Sequence, residues 1–220
     1  PLAWPMKTRF RPSALTLYLV LDPDLCGGAK GMLSTTAQAI QGGVTAVQLR
    51  APHWKKRQLV DVGHALFALL APHAIPLIVN DHVDVALAID ADGVHVGQDD
   101  LPVAAARALL GPHKILGLST TCIEEHARVP LDLVDYAGLG PVFPTGSKPD
   151  ASAALGLVAF TQALKTSTIP CVAIGGIGLG RVAPIRAAGA QGVAVISAIC
   201  GTQDASYCAA QLRREWEEGV

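Results

Sequence analysis

The chain has 220 residues, half of them hydrophobic and only 16% charged, which is ample for one well-buried domain. Its formal net charge is -1, with no basic block or acidic tail, so neither a nucleic-acid surface nor a membrane-surface helix is indicated. The five cysteines are odd in number and contain no C-x-x-C pair, which argues against a zinc site or disulfide framework and for reduced thiols in a cytoplasmic protein.

Residues 1–14 read as an N-terminal extension. Lys7, Arg9 and Arg11 before the apolar run 15–21 have the outline of a signal peptide. That run is short, lacks a small-residue cleavage site and ends in Asp22-Pro23-Asp24, so it reads as a first core strand. No apolar run reaches membrane-spanning length. From there the chain repeats one pattern, a short apolar run followed by an amphipathic, Ala/Leu-rich segment. Strands are expected over 15–21, 46–49, 77–79, 93–96, 115–118, 133–139, 171–174 and 192–196. Helices are expected over 32–41, 55–70, 83–89, 102–110, 123–128, 157–165, 181–187 and 205–216, the last packing through Leu212 and Trp216.

Continuously apolar strands alternating with helices mean parallel strands covered on both faces. Eight such units without a composition break favour a single-domain (β/α)8 TIM barrel over 15–220, with a doubly wound open sheet as the alternative. Small-residue entries such as Ala91-Asp92-Gly93 and Ala190-Gln191-Gly192 form a weak internal repeat, consistent with one turn geometry reused around a barrel.

In either architecture ligands bind beyond the carboxyl ends of the strands. There the chain places Gln48 and Arg50, then Asn80 and Asp81, then Asp99 and Asp100, then Ser119. The connection 140–156 follows the sixth run, with Thr145, Ser147 and Lys148; its length and its Gly and Ala content suggest a flap closing on phosphate groups. Asp81 with Asp99 or Asp100 can share a magnesium ion, although aspartates in these positions also suit helix capping. Gly175-Gly176 and Ile196-Ser197 follow the last two runs, where barrels often hold phosphate on backbone amides. His95, inside an apolar run, reads as a satisfied core residue, and 53–57 as a solvated helix start. No Ser/His/Asp set or Cys/His pair is expected to converge, and no lysine lies inside a strand run. Chemistry that needs only charge stabilisation of a leaving group fits this inventory.

The segments VQLR, VND, ADGVHVGQDDLP, ILGLS, GLGPVFPTGSKPD, AIGGI and GVAVISAI, in this order, resemble the thiamine-phosphate synthase family from about Leu17 to Gly201. The resemblance implies a (β/α)8 barrel that joins hydroxymethylpyrimidine diphosphate to a thiazole phosphate by a dissociative, Mg2+-assisted transfer. It assigns the pyrimidine diphosphate to Gln48, Arg50, Asn80, Ser119 and Lys148, and magnesium to Asp81 and Asp100. It assigns the thiazole phosphate to Thr145 and Ser147, and further phosphate contacts to Gly176, Ile196 and Ser197. Arg50, Ser119 and Lys148 are the catalytic residues on this reading. One departure stands out: the family usually reads Q-x-R-E/D-K at the second strand, whereas Ala51-Pro52 follow Arg50 here, leaving Lys55 or Lys56 as stand-ins. A thiazole tautomerase-like relative and a non-catalytic thiamine-phosphate sensor are the competing readings; the oligomer is open, a homodimer included.

Overall fold

The computed structural model describes residues 10–147 and 152–219. Eight parallel strands close into a barrel in sequence order, with β1 also pairing β8 through Leu17–Val193, Tyr18–Ala194 and Leu19–Val195. The strands are β1 Leu17–Val20, β2 Ala46–Leu49, β3 Leu77–Asn80, β4 Gly93–Val96, β5 Ile115–Thr120, β6 Tyr136–Leu139, β7 Cys171–Ile174 and β8 Gly192–Val195. Around them lie α1 Pro23–Cys26, α2 Ala29–Gln41, α3 Lys56–Leu70, α4 Val83–Ala88 and α5 Val103–Leu110. The ring continues with α6 Ile123–Ala127, α7 Leu157–Thr166, α8 Val182–Ala187 and α9 Ala205–Glu218. No described helix is long and apolar enough to cross a membrane.

The expected strands hold, with bounds moved for local reasons. Pro12 starts a 3-10 turn over Pro12–Leu15, and the Thr16 amide and hydroxyl both donate to Ser13 O, so β1 begins at Leu17. Residues 133–135 are held at a corner, where Leu133 and Val134 donate to Pro130 O and Arg107 donates to Leu133 O; β6 therefore starts at Tyr136. β5 runs on to Thr120 because Ser119 and Thr120 pair with Gly138 and Leu139. One short helix, α1, was not in the pattern. It forms because Asp22 Oδ1 accepts from the amides of Asp24 and Leu25 and Pro23 fixes the first helical position.

The core has two layers, set by the strand period of two. Leu17 and Leu19 of β1 join Val47, Leu49, Leu77 and Val79 in the layer under the helices. Tyr18 and Val20 of the same strand point into the barrel beside Ala46, Ile78, Tyr136, Val172 and Ala194. Phe10 stacks on Tyr136 at 5.8 Å between ring centroids, closing the amino-terminal mouth of the barrel.

The weak repeat has a physical basis at that mouth. A polar side chain just before each even strand accepts a backbone N–H at the start of the preceding odd strand. Thr45 Oγ1 takes Leu17 N at 2.9 Å and Asp92 Oδ2 takes Leu77 N at 2.9 Å. Asp135 Oδ2 takes Leu116 N at 2.8 Å and Gln191 Oε1 takes Cys171 N at 2.6 Å. Each odd strand thus keeps an otherwise orphaned donor satisfied. Even strands have main-chain partners instead, such as Pro76 O for Val47 N and Pro170 O for Ala137 N.

Candidate active site

The carboxyl ends of the strands open into a cavity of about 510 Å3. Gln48 and Asn80 reach it from the ends of β2 and β3, with Arg50 and Asp81 just beyond. Asp100 lines it after β4, Ser119 from β5, and Thr145 and Ser147 from the connection after β6. Gly176, Ile196 and Ser197 complete the wall at β7 and β8. Every expected site residue is therefore brought together except Lys148, which lies outside the described residues.

The two aspartates are oriented by their neighbours and do not cap helices. The N-caps of α4 and α5 are His82 and Pro102, and neither makes a side-chain cap bond. Asp81 has φ +62, an uncommon left-handed conformation for a residue other than Gly. Its amide donates to His95 O at 2.8 Å, and its Oδ2 accepts from Asn80 Nδ2 at 2.5 Å. Asp100 Oδ2 accepts from the Gly97 amide at 2.6 Å. Among the described residues, Arg50 is the one lysine or arginine lining the cavity, against the carboxylates of Asp81, Asp99, Asp100 and Glu125. Glu125 Oε2 is engaged by Thr121, accepting from its amide at 2.7 Å and its hydroxyl at 3.0 Å.

The long connection after β6, expected to act as a flap, is anchored at both feet. Val142 N donates to Ile174 O at 2.8 Å and Phe143 N to Gly175 O at 3.2 Å, so the outgoing limb lies along the loop after β7. Leu155 N and Gly156 N donate back to Pro141 O and Val142 O at 2.8 and 3.0 Å. The limbs fit because Gly176, at φ +66, has no side chain: a Cβ there would stand 2.5 Å from Pro144 O. Arg181, which the sequence did not single out, donates from Nη1 to Gly176 O at 2.5 Å and sits 4.8 Å from the Phe143 ring centroid. At β8, Ile199 and Cys200 donate to Ile196 O at 3.0 and 2.8 Å, closing one turn led by the amides of Ser197 and Ala198. Ser147 Oγ lies 3.5 Å from Ser197 Oγ, joining the β6 and β8 loops.

The floor holds a polar group that the sequence did not single out. His95 and Ser119 do converge, with Nε2 and Oγ 2.8 Å apart. The third member is a tyrosine: His95 Nδ1 is 2.9 Å from Tyr136 OH, which is 3.0 Å from Tyr18 OH, and Gln48 Nε2 donates to Tyr18 OH at 2.8 Å. His95 is thus a satisfied buried residue, as its apolar setting suggested, and at the same time part of the cavity lining. Burial pushes both phenols above their ordinary pKa, so they keep their hydrogens. Strand parity was the available signal for this group, since Gln48, His95 and Ser119 all occupy inward positions. Neither Lys55 nor Lys56 lines the cavity, and Lys56 Nζ is paired with Asp84 at 2.5 Å in a largely exposed ion pair. The position after Arg50 is filled by Ala51, which is buried.

A closed parallel barrel with its cavity at the carboxyl ends, two oriented carboxylates after β3 and β4 and glycine- and serine-bearing loops after β7 and β8 defines the class: a single-domain (β/α)8 TIM barrel with a ligand site on that face. The chain belongs to the thiamine monophosphate synthase family, whose model matches residues 17–199. It is 50% identical over 197 residues to a thiamine-phosphate synthase of Laribacter hongkongensis, covering 90% of this chain and 93% of the relative. It is 51% identical over 203 residues to a thiamine-phosphate synthase of Xanthobacter autotrophicus, covering 92% and 96%. A solved thiamine phosphate pyrophosphorylase from Pyrococcus furiosus superposes with a TM-score of 0.87 at 35% identity, over 95% of this chain and 98% of that one.

Proposed function

We propose that this chain is a transferase that joins hydroxymethylpyrimidine diphosphate to hydroxyethylthiazole phosphate, giving thiamine phosphate and diphosphate. The observation that carries the reading is the convergence of the residues expected from the family motifs on one cavity, from seven different strand ends. The methylene–oxygen bond of the pyrimidine substrate breaks with its electron pair leaving on diphosphate. The thiazole nitrogen then donates its lone pair to the pyrimidinylmethyl cation, forming the new carbon–nitrogen bond. Arg50 and Lys148 hold the departing diphosphate, Gln48, Asn80 and Ser119 orient the pyrimidine, and Thr145, Ser147, Gly176, Ile196 and Ser197 hold the thiazole phosphate. Closing these groups around the substrates stabilises charge that develops only as the bond breaks.

The donor set also fits a magnesium ion. Mg2+ takes few protein oxygens and completes its shell with water and phosphate, so Asp81 and Asp100, each oriented by a hydrogen bond, suffice without a larger ligand cluster. The cavity itself favours this. Four carboxylates against one arginine, among the described residues, repel a diphosphate unless a cation offsets them. When bound, the ion would neutralise charge on the diphosphate. A cytoplasmic location and a homodimer belong to the same proposal. Five cysteines without a disulfide support the first, and light scattering on purified protein tests the second.

The deciding experiment is a two-substrate assay with and without magnesium. Diphosphate is expected only when both substrates and the metal are present. Purified protein that makes no thiamine phosphate, or that instead aromatises a thiazole without metal, would overturn the reading.

A further inference from the structure

The buried polar side chains under the cavity form one unbroken chain across the barrel, from Gln48 on β2 through Tyr18, Tyr136 and His95 to Ser119 on β5. Each phenol has a single hydrogen to donate, so the chain can run in only one direction at a time. Gln48 Nε2 donates to Tyr18 OH, which obliges Tyr18 to donate onward to Tyr136. Tyr136 then donates to Nδ1 of His95, that nitrogen carries the lone pair, and Nε2–H donates to Ser119 Oγ. Two consequences reach the cavity. Gln48 turns its amide oxygen, an acceptor, towards the ligand, and Ser119 keeps its own hydrogen as a donor. We propose that Tyr18, Tyr136 and His95 are positioning residues that lock Gln48 as acceptor and Ser119 as donor, so that the site selects a pyrimidine offering a donor to the β2 wall and an acceptor to the β5 wall.

The barrel is shaped around this relay. A Cβ on Gly117 would stand 2.3 Å from Tyr136 Cζ and 2.5 Å from His95 Nδ1, and one on Gly138 would press on the same imidazole at 3.2 Å. Only glycine at Gly117 leaves room for the tyrosine–imidazole bond. Val20, Ile78 and Val172 surround it in the apolar barrel interior, where the low dielectric strengthens each hydrogen bond of the relay.

The inference rests on the proposed pyrimidine diphosphate substrate, and its test keeps the two separable. The rate of the wild type is compared on the 4-aminopyrimidine diphosphate and on an analogue with oxygen in place of the amine, which exchanges a donor for an acceptor. The wild type is expected to reject the analogue by at least about 100-fold, as sites that hydrogen-bond a defined edge do. Tyr136→Phe keeps the ring but cuts the relay, leaving Gln48 and Ser119 free to reverse, and is expected to narrow that ratio by at least about tenfold. Tyr18→Phe cuts a different link and is expected to narrow it likewise. A ratio between two substrates does not depend on the folded fraction, so a merely structural role would not move it. Nitrogen-15 NMR of histidine-labelled wild type, with His95 assigned by its loss in His95→Gln, is expected to place the proton on Nε2. A proton on Nδ1, or unchanged ratios in both tyrosine variants of an active enzyme, would overturn the relay. Absence of synthase activity in the wild type would overturn the function and leave the NMR test of the relay standing.

Discussion

The two mouths of the barrel both carry polar side chains, and they use them differently. At the amino-terminal mouth, Thr45, Asp92, Asp135 and Gln191 point back at the sheet and satisfy an amide in the first two residues of each odd strand. At the carboxyl-terminal mouth, Gln48, Asn80, Asp81 and Ser119 line open space, and their hydrogen bonds (Asn80 to Asp81, Gln48 to Tyr18, Ser119 with His95) leave further donors and acceptors for a ligand. The chemistry of the side chains is similar at both ends. What differs is whether the geometry closes their hydrogen bonds internally. Polar groups closed on the backbone stabilise the fold, and polar groups held half-open make a site.

Substitutions at each end should separate stability from activity. The largest effect is expected at the open end: Arg50→Ala, removing the one described arginine in the cavity, should lower kcat/KM by about 10²–10³-fold in steady-state assays with an unchanged urea midpoint. At the closed end, Asp135→Ala leaves both Leu116 N and the Arg107 guanidinium without their carboxylate. It should cost about 1–3 kcal/mol by urea titration, with kcat/KM unchanged for the folded fraction. A loss of turnover at full stability would break the contrast between the two mouths.

Gln191→Ala removes a single bond, that to Cys171 N, and should cost about 0.5–1.5 kcal/mol in the same titration. The smallest effect is expected on the outside of the barrel, where Lys56→Ala should cost less than about 1 kcal/mol because the pair with Asp84 is largely exposed. Its pH dependence has a definite sign. The hydrogen bond from Lys56 holds the Asp84 carboxyl below its ordinary pKa, so the folded chain binds that proton more weakly than the unfolded chain. The stabilisation is present at neutral pH and is lost as pH falls through the carboxylate range. The difference between wild type and Lys56→Ala should therefore shrink on acidification, and growth of that difference at low pH would contradict the assignment.

Much of this was legible in the chain. Continuously apolar runs such as Val94–Val96 around His95 read as parallel strands covered on both faces, and eight of them in order favour a barrel over the open doubly wound sheet that the same local pattern permits. The ends of those runs fixed which residues reach the ligand face, so Gln48, Arg50, Asn80, Asp81 and Asp100 could be collected before any geometry was known. Direction within a strand was harder to read. Tyr18 and His95 sit in apolar runs that are equally apolar on both sides, so only the strand period of two, and not composition, could group them with Gln48 and Ser119 as inward residues. The stand-in role for Lys55 or Lys56 failed because Pro52 and the turn after it carry both lysines to the start of α3, where Lys56 meets Asp84.

The local alternation of strand and helix, and the placing of polar residues at strand ends, were determined by sequence, because backbone periodicity and turn chemistry act over a few residues. Closure of β1 on β8, the meeting of the β6 and β7 loops at Gly176, and the path from Gln48 to Ser119 were decided only by tertiary structure. Each joins residues tens to hundreds of positions apart. A hydrogen bond at that separation exists only once packing has fixed both partners, and no local pattern encodes it.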